Sequence, residues 1–446
     1  MKKLILSVLL IPAVFSAQQT VSRDAEIANY VSQVSADSLK SHINKLVSFG
    51  TRHTMSSTTD AKKGIGAARN WVLSKFKNYA KNADGRMAVF LQNQTIQPDG
   101  KRINQPTDLG NAIAILRGTD PNDKRIFMIG GHLDSRVSDV MNAKDFAPGA
   151  NDDGSGVGAV IESARILSQS KFPATIVFVA FSGEEQGLLG AKMLAEKAKT
   201  ENWQLEALLN NDMIGNNLTS ETNLINAYQL RVFSEGLPQF DLDKKAQEIR
   251  NLGLENDGEA RQLARYIKEI GERYVDNLEV KLIYRNDRFL RGGDHTSFVN
   301  QGFSAVRLTE FNENYDHQHQ DIRKENGKQF GDLPEFMDFE YFKKNVGVNV
   351  SVLANLAKSP SKPENVKMDV KELTNFTTIH WEKPKNGEVV GYYVLMRETD
   401  SSTWQKKFFT KENSMKLPYS KDNYFFAVQA VNSSGNESLI VIPSVK

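Results

Sequence analysis

Between residues 125 and 212 the chain repeats one unit: a short apolar run, a polar motif where the run stops, then apolar residues at helical spacing. The run 125–129 ends in Gly130-Gly131, and Val157, Val160, Ile161, Ala164 and Leu167 then mark one helix face. The run 174–181 follows Pro173 and is largely apolar, as a strand covered on both faces must be. Helical spacing over 188–199 and a short strand over 205–210 complete the series. Few architectures accept strand, helix, strand, helix, strand in this form. The pattern predicts an α/β fold, an open and mostly parallel sheet flanked by helices.

The flanking segments extend the same domain. Helical spacing appears over 37–47, 64–76, 258–275 and 338–356, and further strands are expected over 87–91, 112–116, 281–284 and 305–308. The polar stretch 216–287 reads as surface built around a cleft. At 358–363, Lys-Ser-Pro-Ser-Lys-Pro has the composition of a linker. Beyond it only β signals remain, at 377–381, 389–397, 404–410 and 424–431. Trp381, then Tyr392-Tyr393-Val394, then the run 424–432 resemble a fibronectin type III module, an all-β immunoglobulin-like sandwich. The expected division is a signal segment over 1–17, an α/β domain over 18–357, a linker over 358–363 and the sandwich over 364–446.

The signal segment is read from Met1-Lys2-Lys3, the apolar run 4–15 and the small pair Ser16-Ala17. That run is too short to span a bilayer, and no second apolar stretch follows, so a secreted or periplasmic protein without a membrane span is expected. The chain has no cysteine, so stability must come from a large core, bound metal or both. A formal net charge of +2 with interspersed signs offers no electrostatic case for nucleic acid or an anionic membrane.

Four motifs sit where apolar runs stop: Gly131-His132-Leu133-Asp134-Ser135, the glycine-rich 149–156 with Asp152 and Asp153, Gly183-Glu184-Glu185-Gln186-Gly187, and Asn210-Asn211-Asp212-Met213. In an open α/β sheet, ligands bind at the carboxyl ends of the strands, so these motifs should converge on one edge. Imidazole and carboxylate without thiolate suit zinc or a similar divalent ion. One histidine and several carboxylates exceed the needs of a single tetrahedral ion, but two ions sharing a carboxylate would use them. A second histidine is then expected downstream, and the stretch 315–321 offers His317 and His319. Read singly, each motif has a plainer account: a strand-end turn for Gly131–Ser135, a helix cap for Asp152 or Asp153, a surface dipeptide for Glu184-Glu185.

In this order the four motifs resemble the co-catalytic zinc aminopeptidase family that also contains glutamate carboxypeptidase II and the glutaminyl cyclases, over roughly residues 35–356. The resemblance implies peptide substrates and two zinc ions. It implies that His132 and Asp212 serve one ion, Glu185 and His319 the other, and that Asp152 bridges them. Glu184 is implied as general base and acid, unligated, and Asp134 as the carboxylate that orients the His132 imidazole. Asp294-His295-Thr296-Ser297-Phe298 resembles a family segment near the substrate pocket; its plainer reading is a helix cap by Asp294 and a loop contact by His295. Some members place a tyrosine shortly before that segment to steady the oxyanion. Here Arg288-Phe-Leu-Arg291-Gly-Gly has none, which leaves Arg288 or Arg291 as the substitute.

Arg52 and His53 read as structural, and His42 and His380 as ordinary helix and strand residues. Rival functions on this scaffold are a carboxypeptidase or dipeptidase, for which Arg288 or Arg291 would supply a cationic pocket, a glutaminyl cyclase, and a non-catalytic binding protein. The sandwich could hold a surface or polymer ligand, but its sequence identifies none, and a spacer or stabilising role is the simpler expectation.

Overall fold

The structure, a computed structural model, describes residues 23–237, 239–289 and 291–445, so the expected signal segment lies outside the described residues. The α/β domain is organised on strands β1 (Met87–Ile96), β2 (Thr107–Leu116), β3 (Arg125–His132), β4 (Thr175–Phe181), β5 (Gln204–Asn211), β6 (Gln229–Ser234), β7 (Glu279–Ile283) and β8 (Ala305–Glu310). They form one sheet in the order β1-β2-β4-β3-β5-β8-β6-β7. Its centre, β4-β3-β5-β8, is parallel, as the alternating pattern predicts. The flanks add antiparallel pairings of β1 with β2, β2 with β4, and β6 with β8.

Parallel register positions the site. His132 at the end of β3 lies opposite Phe181 at the end of β4, and Gly130 lies opposite Asn210 of β5. The polar motifs that follow these strands therefore emerge at one edge. Close packing behind that edge depends on glycine: a Cβ on Gly131 would lie 2.5 Å from the Gly156 backbone carbonyl carbon. Only a bare Cα lets the strand approach the following helix so nearly.

The helices are α1 (Ala25–Ser32), α2 (Ala36–Val47), α3 (Gly64–Ala80), α4 (Gly154–Leu167), α5 (Leu189–Thr200), α6 (Gln239–Leu252), α7 (Glu259–Tyr274), α8 (Asp294–Asn300) and α9 (Phe339–Lys358). Helix α9 is buried from Val346 to Ala357 and packs on α1, α4 and α7. Its Asn349 exchanges two amide hydrogen bonds with Asn211, at 3.0 and 2.7 Å, which fixes the end of β5 from behind. The polar stretch 216–287 holds α7 where a helix is expected over 258–275, and it also contains β6 and α6, which are not expected from the sequence.

The chain leaves α9 at Lys358 and re-enters sheet structure at Glu364. Seven strands among the described residues make two sheets of four and three strands. Trp381 and Tyr392 pack edge to face between them, ring centroids 5.3 Å apart. This is the all-β C-terminal unit that the sequence predicts.

Candidate metal centre

The site is assembled from the polar motifs at the strand ends. His132 Nε2 lies 3.1 Å from Asp152 Oδ1 and 3.9 Å from Asp212 Oδ1. His319 Nε2 lies 2.9 Å from Asp152 Oδ2 and 2.9 Å from Glu185 Oε1. These are two groups of three donors, each compact enough for one cation, and Asp152 gives one carboxylate oxygen to each. Of the two late histidines, His319 joins the cluster, while His317 stacks on Phe336 with ring centroids 3.6 Å apart.

The donor chemistry fits zinc. His132 Nδ1 faces the Asp134 carbonyl oxygen at 3.1 Å and so carries a proton, which directs Nε2 at the carboxylate oxygens. The contact calls for a cation between nitrogen and oxygen, a proton when no metal is bound or a zinc ion, which accepts such nitrogen and oxygen sets. Glu185 Oε1 is buried and faces His319 Nε2 at 2.9 Å, an oxygen and a nitrogen that one ion could share.

The electrostatics agree. Burial opposes charge on His132, yet Asp153, Glu184, Asp152 and Asp212 hold its imidazolium well above the ordinary histidine range. Burial likewise opposes charge on His319, but Glu185 and Asp152 push it up to about 9. Glu184 belongs to neither donor group but lines the same cleft, a cavity of about 420 Å³. Burial, with the nearby Glu185, Asp212 and Asp294 carboxylates, lifts its pKa well above the usual range, against the pull of His132. The cluster concentrates more negative charge than protein cations balance.

Asp153 caps α4 as the plainer reading expects, accepting from Gly156 N at 2.7 Å. It also accepts from His132 N at 2.8 Å and Met213 N at 3.2 Å, so one buried carboxylate fastens three of the four motifs. Asp152 is thereby left to face the cluster. The expected role of Asp134 needs correction. Its carboxylate stands 3.8 Å from His132 Nδ1, and instead accepts from the backbone N–H groups of Gly183, Glu184 and Glu185 at 2.9–3.1 Å. The turn carrying both glutamates has orphan donors that outcompete the imidazole, which is served by the Asp134 carbonyl.

Asp294 is fully buried and neither carboxylate oxygen has a hydrogen-bond partner. It does not cap α8, whose N-cap is Gly293. Burial first, then Asp134 and Asp212, push its pKa up to about 8. His295 takes the plainer reading: Nε2 meets the Asn286 carbonyl at 2.9 Å, away from the cluster. Arg288 and Arg291 both line the cleft, and Arg288 donates to Glu313 at 2.9 Å. Arg52 is structural as expected, donating to the carbonyls of Leu133, Pro148 and Gly149.

Three participants escape the motif reading. Arg136 donates Nε to Glu185 Oε2 at 2.9 Å, and its Nη2 lies 2.6 Å from His319 Nδ1. Arg307, buried in β8, holds Asp212 Oδ1 at 3.0 Å and Asp287 Oδ2 at 2.5 Å. Asp332 accepts from the N–H groups of Asn151 and Asp152, at 2.9 and 2.7 Å. Of these only Arg307 leaves a sequence signal: a charge set among the apolar residues of the expected strand 305–308.

A parallel-centred α/β sheet that delivers two carboxylate–imidazole groups to one edge defines a metallopeptidase scaffold. The chain belongs to peptidase family M28, whose model matches residues 111–333, and a fibronectin type III domain matches residues 361–443. It is 42% identical over 421 residues to a probable zinc metalloprotease of Leptosphaeria maculans, covering 94% of this chain and 97% of that one. A probable zinc metalloprotease of Pyricularia oryzae is 40% identical, over 94% and 84% of the two chains. Among solved structures, the LapA aminopeptidase of Legionella pneumophila shares the fold, with a TM-score of 0.54 at 19% identity over 76% of each chain.

Proposed function

We propose that this chain is an exported two-zinc exopeptidase that releases N-terminal amino acids from peptides. The observation that carries the reading is Asp152 divided between two donor groups, with Glu184 beside them and in neither. Zinc metalloprotease is also how the fungal relatives are described. Two zinc ions would be held by His132 and Asp212, and by Glu185 and His319, with Asp152 common to both. Bound zinc supplies Lewis-acid polarisation of a carbonyl and lowers the pKa of water.

The protein's part is positioning and proton transfer. Glu184 takes the proton of the attacking water and returns it to the leaving amine as the C–N bond breaks. The Asp134 carboxylate holds the Gly183–Glu185 backbone, so Glu184 can turn to substrate while its neighbour Glu185 faces the second donor group. Arg307 and Arg136 keep Asp212 and Glu185 oriented. A second reading, a carboxypeptidase or dipeptidase, draws on Arg288 and Arg291 in the cleft wall.

One assay separates them: purify the protein, count bound zinc, and compare aminoacyl-p-nitroanilides with N-blocked peptides, with and without chelator. Release of p-nitroaniline at about two zinc per chain, abolished by chelator, supports the reading. Cleavage confined to N-blocked peptides overturns it. Export is tested by sequencing the N-terminus of protein recovered outside the cytoplasm, where a start near residue 18 is expected.

A further inference from the structure

The wall of the cleft facing the glutamate turn is strongly cationic. Arg102, Arg136, Arg288 and Arg291 line the same cavity as the two donor groups. A neighbouring cavity of about 460 Å³ shares Arg288 and Arg291 with it and adds Arg231 and Arg285. The two cavities therefore read as one groove leading away from Glu184, with Arg288 and Arg291 on the ridge between. The second chamber is lined by those four guanidinium groups, by Phe289 and Tyr315, both exposed, and by a single carboxylate, Glu313.

Glu313 is already committed. It accepts from Arg231 at 2.6 Å and from Arg288 at 2.9 Å. Asp287, the other carboxylate near Arg288, is taken by buried Arg307. Arg288 Nε is buried and finds no hydrogen-bond partner. Arg285 rests on the Phe289 ring, 4.2 Å from its centroid, and among the described residues neither it nor Arg291 has a carboxylate partner. A groove that concentrates guanidinium groups and leaves two without counter-charges has an obvious ligand chemistry, since the planar fork matches a carboxylate with two parallel hydrogen bonds.

We propose that Arg285, Arg288 and Arg291 form a carboxylate-binding subsite, and that the enzyme favours peptides carrying a carboxylate close to the cleaved bond. This rests on the exopeptidase reading above and names its substrate class. The carboxylate has two sources, an acidic side chain or the free C-terminus of a short peptide, and the same three arginines serve either. Nearby apolar surface from Phe289 and Tyr315 would cover the aliphatic stem of the residue that bears it.

The test uses the full-length zinc-loaded protein and three peptides: Leu-Gln-Gly amide, Leu-Glu-Gly amide and Leu-Gln-Gly with a free C-terminus. At least one carboxylate peptide is expected to exceed the neutral amide by about tenfold in kcat/KM, and the one that does identifies the source. In Arg285→Ala/Arg291→Ala that ratio is expected to fall to about one, and Arg291→Glu should invert it in favour of Leu-Lys-Gly amide. A wild-type ratio below about two, or a ratio the double variant leaves intact, overturns the subsite. Calorimetric binding of the same peptides to Glu184→Gln separates the two claims. Carboxylate-selective binding that the arginine substitutions abolish, without cleavage of any peptide by wild type, keeps the subsite and removes the exopeptidase reading. Equal binding of all three removes the subsite whatever the turnover.

Discussion

Arg273 of α7 and Glu437 of the C-terminal domain are joined by two hydrogen bonds, Nη1 to Oε2 at 2.7 Å and Nη2 to Oε1 at 2.8 Å. Glu437 is buried and Arg273 largely so, and they do not stand alone. Lys407 bonds Glu269, Tyr266 donates to the Glu437 carbonyl at 2.7 Å, and Arg397 holds Asp257 at 2.6 Å beside Arg265. The β domain is thus docked through buried charges rather than tethered by its linker. Breaking such a pair leaves its partner charged in a dry place, which costs about 3–5 kcal/mol. Glu437→Ala is expected to lower unfolding stability by that order and Glu437→Gln by less, both read from denaturant midpoints. Removing residues 360–446 should yield a poorly soluble α/β domain. A truncated chain that melts where the intact one does would show that the docking adds no stability.

Glu184→Gln is expected to keep its zinc at the wild-type stoichiometry, because Glu184 belongs to neither donor group, and to lose about 10²–10⁴ in kcat, the usual contribution of a positioned acid–base group. Glu185→Gln should instead weaken metal binding, most at the His319 group. Plasma emission measurements of zinc alongside single-turnover rates distinguish the two. Equal metal loss in both variants would assign Glu184 to the ligand set.

Asp152 supplies an oxygen to each donor group, so its loss should be felt twice. Asp152→Ala is expected to bring the protein below one zinc per chain at concentrations where Asp212→Ala and His319→Ala retain about one. Competitive titration against a chromophoric chelator reads the stoichiometry. Retention of one tight ion by Asp152→Ala would mean that the groups are independent.

Glu162 ties α4 to α2 and to the chain before it, away from the donor cluster. Burial favours its neutral form, but Arg165 at 2.7 and 2.9 Å, His42 and the Ser35 N–H hold the carboxylate and bring its pKa down to about 2. An unfolded glutamate titrates near 4.5. The folded value is the lower one, so the contribution is fully present above pH 4.5 and disappears as pH falls toward 2. It amounts to about 3 kcal/mol, since each pKa unit is worth about 1.4 kcal/mol. The stability gap between wild type and Glu162→Gln, measured by urea unfolding, should be wide at pH 7 and close between pH 4.5 and 2. A constant gap would assign the effect to packing.

How much of this was legible in the chain differs by region. The strand-end motifs could be read because a parallel sheet converts their order into proximity, as His132 opposite Phe181 illustrates. The fate of the Asp134 carboxylate could not, because it depends on how many N–H groups the turn at 183–185 leaves unpaired in three dimensions. Strand β6 escaped detection because its six residues carry Arg231 at their centre, where a partner on Glu313 makes the charge tolerable. Arg136 gives no signal at all, since a surface arginine and one poised over a donor cluster look alike in one dimension.

Arg307 differs from Arg136 in being sealed into β8, between two carboxylates of opposite fate. One, Asp212, faces the donor cluster, and the other, Asp287, begins the loop that carries Arg288 and Arg291. Burial disfavours its charge, but Asp212, Asp287 and Glu313 more than compensate and hold it protonated throughout the accessible range. Arg307→Met would leave two carboxylates facing a buried apolar group, so a destabilisation of about 3–5 kcal/mol is expected. Its diagnostic effect lies in the metal. Losing the guanidinium frees Asp212 without touching Glu185 or His319, so zinc affinity should fall first at the His132 group. A single-site titration step lost from an otherwise folded Arg307→Lys protein, with the second step preserved, would mark Arg307 as a positioning residue. Loss of both steps together would mean that it serves the fold alone.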